Sequence, residues 1–164
     1  MKGTGPLRLL LADEDATVRL AEVLAASQPG PAVIYLGGDL GAGKSTLARA
    51  WLRSLGVTGT IRSPTYTLVE RYPLGDAEAL HLDLYRIGSG AELEFLGLDE
   101  APARLWLVEW PERGAGGLPP ADLEIGLRLS GTGREAVLDS GSAAGEAWLA
   151  AMVEEGKLGA FPEP

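Results

Sequence analysis

The sequence contains no cysteine among its 164 residues. This absence excludes disulfide bonds, thiolate metal sites and a cysteine nucleophile, and it fits a reducing compartment. Long hydrophobic runs are missing too, because no apolar run approaches the roughly 20 residues that span a bilayer. Residues 1–6 lack the apolar core of a signal peptide. We therefore expect a soluble protein without a membrane segment, located in the cytoplasm.

Basic residues are in the minority, with 14 lysines and arginines against 23 acidic residues and a formal net charge of -9. A general affinity for nucleic acid is not expected, because a phosphate backbone would meet a repulsive average field. Any anion that this chain binds must therefore be held by a local device and not by bulk charge.

Short apolar runs alternate with stretches of helical periodicity. Strands are predicted at 7–12, 33–36, 66–72, 80–85 and 105–108, followed by an antiparallel pair at 123–129 and 135–138. Helices are predicted at 16–27, capped by Asp13 or Asp15, at 44–55, at 91–104 and at 143–153. A turn is expected over 73–78. The alternation predicts an α/β layered fold with a mainly parallel centre.

One segment carries a specific chemical motif, G-x-x-x-x-G-K-[ST]. Its residues are Gly38, Asp39, Leu40, Gly41, Ala42, Gly43, Lys44 and Ser45. Glycines let the backbone wrap phosphate oxygens, successive N–H groups form an anion nest, and the following helix directs its positive end at the phosphates. Lys44 supplies a cation for the β- and γ-phosphates, and Ser45 supplies a hydroxyl ligand for magnesium.

The context of this motif separates it from an ordinary glycine-rich turn. It follows a strand of the buried type and opens a helix, as a phosphate loop requires. The sequence thus predicts one P-loop NTPase domain over 1–164, built as a three-layer α/β fold. Its sheet would be mainly parallel with antiparallel additions, and the tail after about residue 155 would be frayed or disordered. ATP or ADP and Mg²⁺ are the expected ligands.

Two carboxylates are candidates for the magnesium side of such a site. Glu109 ends the apolar run 105–108, where strand ends meet the ligand crevice of an open α/β sheet. Asp83 lies in the run 80–85. Either side chain could hold the metal or orient water, and the alternative for each is a surface or capping carboxylate.

Three other side chains leave alternatives open. His81 could act as a base, but a lone histidine on a strand is more often structural. Trp110 could stack on an aromatic ligand, although a tryptophan beside an apolar strand more often belongs to a core or interface. Arg134 could reach a nucleotide phosphate or sugar, whereas an arginine in a hairpin turn is ordinarily solvated.

Other functional classes share the phosphate loop. A small-molecule kinase usually needs an arginine-bearing lid. The only arginines between residues 88 and 118 are Arg104 and Arg113, so no basic lid is evident. A nucleotide-dependent binding module would bind without useful turnover. A GTPase would carry an Asn-Lys-x-Asp segment, which the sequence lacks, so adenine is favoured over guanine.

The segments in series resemble the TsaE family, also called YjeE. Beside the phosphate loop and Thr46, the resemblance rests on Ser-Pro-Thr-Tyr-Thr-Leu at 63–68, His-Leu-Asp-Leu-Tyr-Arg at 81–86 and Val-Glu-Trp-Pro-Glu at 108–112. It covers most of residues 7–140. The family usually has threonine where this chain has Ser45, a change that keeps the hydroxyl ligand.

The resemblance implies an ATPase, weak alone and dependent on partners, that supports threonylcarbamoyladenosine formation on tRNA by binding a TsaB–TsaD pair. It implies that residues 63–65 form a nucleotide-sensing switch and that Thr17 lies near the adenine. The acidic charge fits this role, and we expect direct tRNA binding to be weak or absent. The catalytic candidates are Lys44, Asp83 and Glu109, and the metal candidates are Ser45, Glu109 and Asp83. The nucleotide-binding candidates are Thr17, Gly41, Ala42, Gly43, Lys44, Ser45, Thr46, Thr65, Trp110 and Arg134.

Overall fold

The computed structural model describes residues 5–100 and 102–164, in which one sheet carries three α-helices. The strands are β1 (Leu7–Leu11), β2 (Ala32–Gly37), β3 (Val69–Leu74), β4 (Ala77–Asp83), β5 (Ala103–Glu109), β6 (Leu123–Ser130) and β7 (Gly133–Ser140). The α-helices are α1 (Glu14–Ser27), α2 (Lys44–Leu55) and α3 (Ala143–Glu154), and short 3₁₀ helices span Gly90–Leu96 and Pro111–Gly114.

The sheet has the order β1-β7-β6-β2-β5-β4-β3. Its four central strands, β6, β2, β5 and β4, are parallel, while β1, β7 and β3 add antiparallel pairings at the two sides. This arrangement confirms the predicted α/β class, the parallel centre and the antiparallel hairpin of β6 and β7. The carboxyl ends of β2, β5 and β4 meet at one edge, where open α/β sheets bind ligands.

The three α-helices pack on the same face of the sheet. Ile34 and Leu36 of β2 and Trp51 of α2 are fully buried there, in one cluster with residues of all three helices. Trp51 meets Trp148 of α3 edge to face, with ring centroids 6.0 Å apart. Each such large apolar side chain contributes about 1.5–3 kcal/mol through burial. This cluster fixes α2, and therefore the loop before it, against the sheet.

The ends of the helices follow from local chemistry. The Asp13 side chain accepts a hydrogen bond of 2.8 Å from the Ala16 amide, so Asp13, one of the two predicted residues, caps α1. Gly56 ends α2 in the left-handed region at φ 108°, as expected of a C-terminal glycine. These helices are therefore predictable from the sequence to within two residues.

The opposite face is covered by a second cluster over β4 and β5, which includes Leu80, Leu82 and Leu93. The 3₁₀ helix Gly90–Leu96 supplies part of this cover. The prediction of a helix over 91–104 was right only for its first half, because Gly97 turns the chain at φ 63° and β5 already begins at Ala103. Residue 101 lies outside the described residues.

The segment before β3 also differs from the prediction. Residues 66–68 form a turn and not a strand, because the Leu68 amide donates to the Pro64 carbonyl over 2.9 Å and Leu68 has a φ of 69°. Strand β3 then extends through Pro73 to Leu74. The turn expected over 73–78 shrinks to Gly75 and its neighbour, and Gly75 has a φ of 63°.

The chain after α3 folds back onto the sheet. Leu158 and Phe161 are only 8% and 5% exposed, and they join the main core cluster. The Leu10 amide donates to the Pro162 carbonyl over 2.7 Å, which covers the outer edge of β1. We expected a frayed tail, and the burial of these two apolar side chains explains why the structure differs.

The described helices include none that is long and apolar enough to cross a membrane. The cytoplasmic location stays a prediction.

Candidate functional site

The loop between β2 and α2 is shaped by glycines. Gly38 and Gly43 have φ values of 131° and 106°, a region that L side chains rarely adopt. A Cβ atom on Gly38 would lie 2.3 Å from the Leu127 carbonyl oxygen of β6. Any larger residue at position 38 would therefore push the loop away from the sheet.

The loop leaves a row of main-chain donors without protein partners. Within the described part of the chain, the N–H groups of residues 43–46 donate to no protein acceptor, and the first helical bond runs from Leu47 N–H to Gly43 O over 3.0 Å. Unpaired amides at a helix N-terminus, together with the helix dipole, favour an anion. This geometry has the features of a phosphate nest.

The lysine of the motif is buried at this nest. The Lys44 side chain is 6% exposed, and its Nζ donates to the Gly38 carbonyl over 2.6 Å. The same atom lies 3.9 Å from Glu109 Oε1 and 4.8 Å from the centre of the Trp110 ring. A nearly buried ammonium group needs such partners to offset the loss of water. Lys44 is thus held between the loop and the end of β5.

These elements enclose a cleft of about 470 Å³. All but one of the residues that we predicted to bind nucleotide or metal, or to act in catalysis, line it: Thr17, Gly41, Gly43, Lys44, Ser45, Thr46, Thr65, Asp83, Glu109, Trp110 and Arg134. The exception is Ala42, which is buried and packs against Gly38. Whether these side chains bind nucleotide stays a prediction.

Several lining residues were not among the predicted binding or catalytic residues. Asp13 and Glu14 come from the start of α1, Leu40 from the tip of the loop, and Thr132 and Gly133 from the β6–β7 turn and the first position of β7. The pairing of β1 with β7 brings Asp13 and Glu14 near Thr132 and Gly133, although these residues are far apart in the sequence. Only the predicted capping role of Asp13 hinted at the local structure.

The two candidate carboxylates lie on adjacent strands. Asp83 pairs with Glu109 across β4 and β5, and Glu109 in turn pairs with Leu36 of β2. Glu109 is 6% exposed, whereas Asp83 is half-buried and accepts a hydrogen bond of 3.0 Å from the Tyr85 amide. The register therefore brings both carboxylates to the edge of the sheet where the phosphate loop begins.

His81 has a specific partner that the sequence did not reveal. Its Nε2 lies 2.8 Å from Glu109 Oε2, and His81 is 3% exposed. Nδ1 is buried without a partner in the described residues. The hydrogen bond at one ring nitrogen sets the tautomer, which favours a hydrogen on Nε2 that is donated to Glu109. His81 thus orients one carboxylate oxygen while the other faces Lys44.

Trp110 turns the chain sharply after β5. Its φ is 56°, which is costly for a residue other than glycine and is found at sites where backbone strain is retained. Its ring lies 4.9 Å from that of Tyr85, tilted by 59°, and also covers the Lys44 ammonium. The ring therefore belongs to the wall of the cleft and not only to the core.

The segment 63–68 lies open beside this wall. Ser63 Oγ and Thr65 Oγ1 are 2.7 Å apart, and both side chains are exposed. Its start is anchored by the Tyr72 hydroxyl, which accepts from the Arg62 amide over 3.0 Å and donates to the Arg62 carbonyl over 3.1 Å. Burial raises the pKa of the Tyr72 hydroxyl above its usual value of 10.0, against the smaller opposing effect of this bond to Arg62.

Arg134 reaches from the start of β7 to the phosphate loop. Nε donates to the Ala42 carbonyl over 3.1 Å, Nη2 to the Gly41 carbonyl over 3.0 Å, and Nη1 to the Gly133 carbonyl over 3.0 Å. The alternative of a simply solvated arginine is wrong. Contact between Arg134 and a nucleotide stays a prediction.

The described residues contain no group of three or more histidine, cysteine or acidic side chains that could by itself hold a metal ion. Magnesium sites commonly use one or two protein ligands together with substrate phosphates and water. Ser45, Asp83 and Glu109 in one cleft fit that pattern.

Comparisons with known proteins agree with the sequence motifs. The family model of the threonylcarbamoyl adenosine biosynthesis protein TsaE matches residues 11–136. The tRNA threonylcarbamoyladenosine biosynthesis protein TsaE of Haemophilus influenzae is 43% identical over 112 residues, which are 66% of this chain and 71% of the relative. The TsaE protein of Bacillus subtilis is 38% identical over 120 residues, 71% of this chain and 74% of the relative.

A solved structure supports the same relationship. The crystal structure of Bacillus subtilis YdiB matches with a TM-score of 0.74 at 26% identity, over 94% of this chain and 99% of YdiB. The family model matches residues 11–136, a range that includes the phosphate loop, Asp83, Glu109 and Arg134. The structural likeness and the match to the family model agree. The chain belongs to the TsaE family.

Proposed function

We propose that this chain binds ATP with magnesium and hydrolyses it in support of threonylcarbamoyladenosine synthesis on tRNA. The observation that carries the proposal is the buried Lys44 ammonium, held 3.9 Å from Glu109 beside the unpaired amides that open α2. A cation, a carboxylate and an anion nest in one cleft are the parts that phosphoryl transfer requires. Bound ATP supplies the phosphoryl group, and magnesium offsets charge on its oxygens.

The phosphate grip comes from main-chain groups and one side chain. The amides of residues 43–46 direct hydrogen toward the phosphate oxygens, and Lys44 adds a mobile positive charge. Since the protein carries a net charge of -9, attraction to the whole surface cannot supply this grip. The local nest therefore has to provide most of the affinity.

The metal and the attacking water lie on the side of β4 and β5 in this proposal. Ser45 is exposed and Asp83 half-buried on the cleft, whereas Glu109 is nearly buried and already oriented by His81. We assign Ser45 and Asp83 to the metal, and Glu109 to the metal shell or to the attacking water. A carboxylate fixed by a buried histidine can orient or accept a proton from water.

The base and ribose lie on the other side of the phosphate loop in this proposal. The sheet order places β7 and β1, with the start of α1, on the side away from β5 and β4. Thr17 is 2% exposed and lines the same cleft as Thr132 and Gly133. Thr17 is therefore assigned to the neighbourhood of the adenine.

The partner is proposed to be a TsaB–TsaD pair, as the family relationship suggests. The acidic surface favours contacts with proteins over contacts with the tRNA backbone. Direct tRNA binding is therefore expected to be weak or absent. ADP, ATP and Mg²⁺ are the proposed ligands.

Measurement of phosphate release tests the proposed hydrolysis of ATP. We expect slow release of inorganic phosphate from ATP with Mg²⁺ and no added acceptor, and faster release when TsaB and TsaD are added. Transfer of the phosphoryl group to a small molecule, without free phosphate, would instead indicate a kinase. Nucleotide binding without turnover, with or without the pair, would reduce the role to a binding module.

Association tests the partner. The tagged chain is expected to retain TsaB and TsaD on a column when Mg²⁺ and a non-hydrolysable ATP analogue are present, and to retain less with ADP. No association under any nucleotide condition would contradict the proposed partner and leave the ATPase proposal standing.

A further inference from the structure

Arg134 lines the proposed nucleotide cleft, and its hydrogen bonds all go to the main chain. Three of its nitrogens donate to main-chain carbonyl oxygens. Two of these oxygens belong to Gly41 and Ala42 in the phosphate loop, and the third belongs to Gly133. In residues 5–100 and 102–164, no carboxylate forms an ion pair with it. A planar guanidinium presents its donors in a fixed fork, which suits two successive carbonyl groups.

The peptide plane links these carbonyls to the anion nest. In a trans peptide the C=O of one residue and the N–H of the next point in opposite directions. Holding the Ala42 carbonyl toward Arg134 therefore turns the Gly43 N–H away from it, and that N–H has no protein acceptor in the described structure. Holding the Gly41 carbonyl likewise fixes the Ala42 N–H, which donates to Asp39 O over 3.1 Å.

We propose that Arg134 is a positioning residue, which braces the phosphate loop from behind so that its amides face the anion. This inference rests on the proposed nucleotide function, and it changes the role predicted for Arg134 from a nucleotide contact to a support of the loop. The glycines of the loop allow many backbone conformations, and ordering them costs entropy on binding. A guanidinium that orders two peptide planes beforehand removes part of that cost.

The brace also ties two distant parts of the chain together. Arg134 is the second residue of β7 and follows Thr132 and Gly133, which line the same cleft. A shift of this hairpin would therefore move the Gly41 and Ala42 carbonyls with it. A lysine at position 134 could reach one carbonyl but could not span both with a fixed geometry.

Nucleotide binding gives the first test. Arg134→Ala is expected to weaken ADP and ATP binding by a similar factor of about tenfold, since both rely on the same loop amides. Arg134→Lys should lose less. Arg128→Ala is the matched control, because Arg128 lies in the same hairpin, hydrogen-bonds Glu135 and lies outside the cleft. A much larger loss for ATP than for ADP would overturn the brace and indicate contact with the terminal phosphate.

The solvent-exchange rate of the Ala42 amide, measured by NMR without nucleotide, gives the second test. We expect Arg134→Ala to speed this exchange about tenfold through local opening, with a smaller effect in Arg134→Lys and none in Arg128→Ala. An unchanged rate would overturn the brace even if nucleotide binds normally. If the wild-type chain bound no nucleotide, the proposed function would fail, and the exchange rates alone would still decide whether Arg134 orders the loop.

Discussion

The two flanks of the cleft differ in how firmly they are held. On one flank, Arg134 fixes the Gly41 and Ala42 carbonyls, and Lys44 is buried against Gly38. On the other flank, the segment 63–68 exposes Ser63, Thr65 and most of its neighbours to solvent. The phosphate loop is therefore largely preorganised, whereas the exposed segment 63–68 is held at its ends and by one exposed hydrogen bond from Arg86 to the Tyr66 carbonyl.

This difference suggests a division of tasks. A preorganised nest lowers the entropy cost of gripping phosphates, while a loosely held segment can take a new position when a terminal phosphate and its metal are present. Leu68 and Trp110, the described non-glycine residues with positive φ, both lie on the second flank. Strain stored there fits a region that rearranges. The following predictions test the contrast between the two flanks.

The largest effect is expected at the firm flank. Lys44→Ala should abolish hydrolysis and weaken ADP binding about a hundredfold, because charge-assisted bonds to phosphate are lost. Equilibrium dialysis measures the affinity. Lys157→Ala serves as the control, since Lys157 is exposed near the end of the chain. Full activity in Lys44→Ala would contradict the proposed contact between Lys44 and the phosphates.

Glu109→Gln should lower the rate of ATP hydrolysis far more than it lowers nucleotide affinity. The amide keeps an oxygen acceptor for His81 but cannot act as a carboxylate, so we expect phosphate release to fall by about a hundredfold or more. Nucleotide affinity should change by no more than about threefold. Glu124→Gln, an exposed residue of β6, is the control. Equal losses of affinity and turnover would make Glu109 a structural residue.

A smaller effect is expected at the loose flank. Magnesium with a non-hydrolysable ATP analogue should slow tryptic cleavage after the exposed Arg62 several-fold, because Ser63 and Thr65 line the cleft and would become ordered. ADP should protect less. Cleavage after Lys157 provides an internal reference. Equal protection by ADP and the ATP analogue would contradict a segment that senses the terminal phosphate.

The smallest effect lies on the face of β7 away from the cleft. Hydrogen bonds from Arg128 and, less strongly, Arg8 hold the pKa of Glu135 below its ordinary value of 4.5, against the opposing effect of burial. A lowered pKa stabilises the fold above 4.5, and this contribution disappears as pH falls through the folded-state value. Glu135→Gln should therefore lower Tm by at most a few degrees at pH 7.

The same variant carries its own control in the pH dependence. The difference in Tm between wild type and Glu135→Gln should shrink as the pH is taken below about 4.5, and nucleotide affinity should stay unchanged. A difference that persisted undiminished into acid would show that the substitution acts through packing and not through the charge.

Local chemistry explains what the sequence could predict. The phosphate loop, the cap at Asp13 and the glycine that ends α2 each depend on residues within a few positions of one another. Glu109 could be proposed because it ends an apolar run, whereas the sequence placed Asp83 inside the predicted strand 80–85 and the structure ends β4 at Asp83. The strand alternation likewise predicted the parallel centre of the sheet.

Contacts between residues that are far apart in the chain explain what the sequence alone could not predict. The bonds of Arg134 to the loop join residues more than ninety positions apart, and the His81–Glu109 pair depends on the register of β4 and β5. Residues 66–68 have strand-like composition, but the bond from Leu68 to Pro64 closes a turn instead. Leu158 and Phe161 became recognisable as core residues only through the packing of the tail.

The central claim is that loop amides and the Lys44 ammonium bind a polyphosphate beside a divalent ion. Isothermal titration calorimetry of the well-folded chain with ATP and Mg²⁺ tests it most directly. We expect a saturable heat with one site per chain that is lost in Lys44→Ala and retained in Lys157→Ala. No saturable heat from the wild-type chain, across a range of temperatures, would contradict the claim.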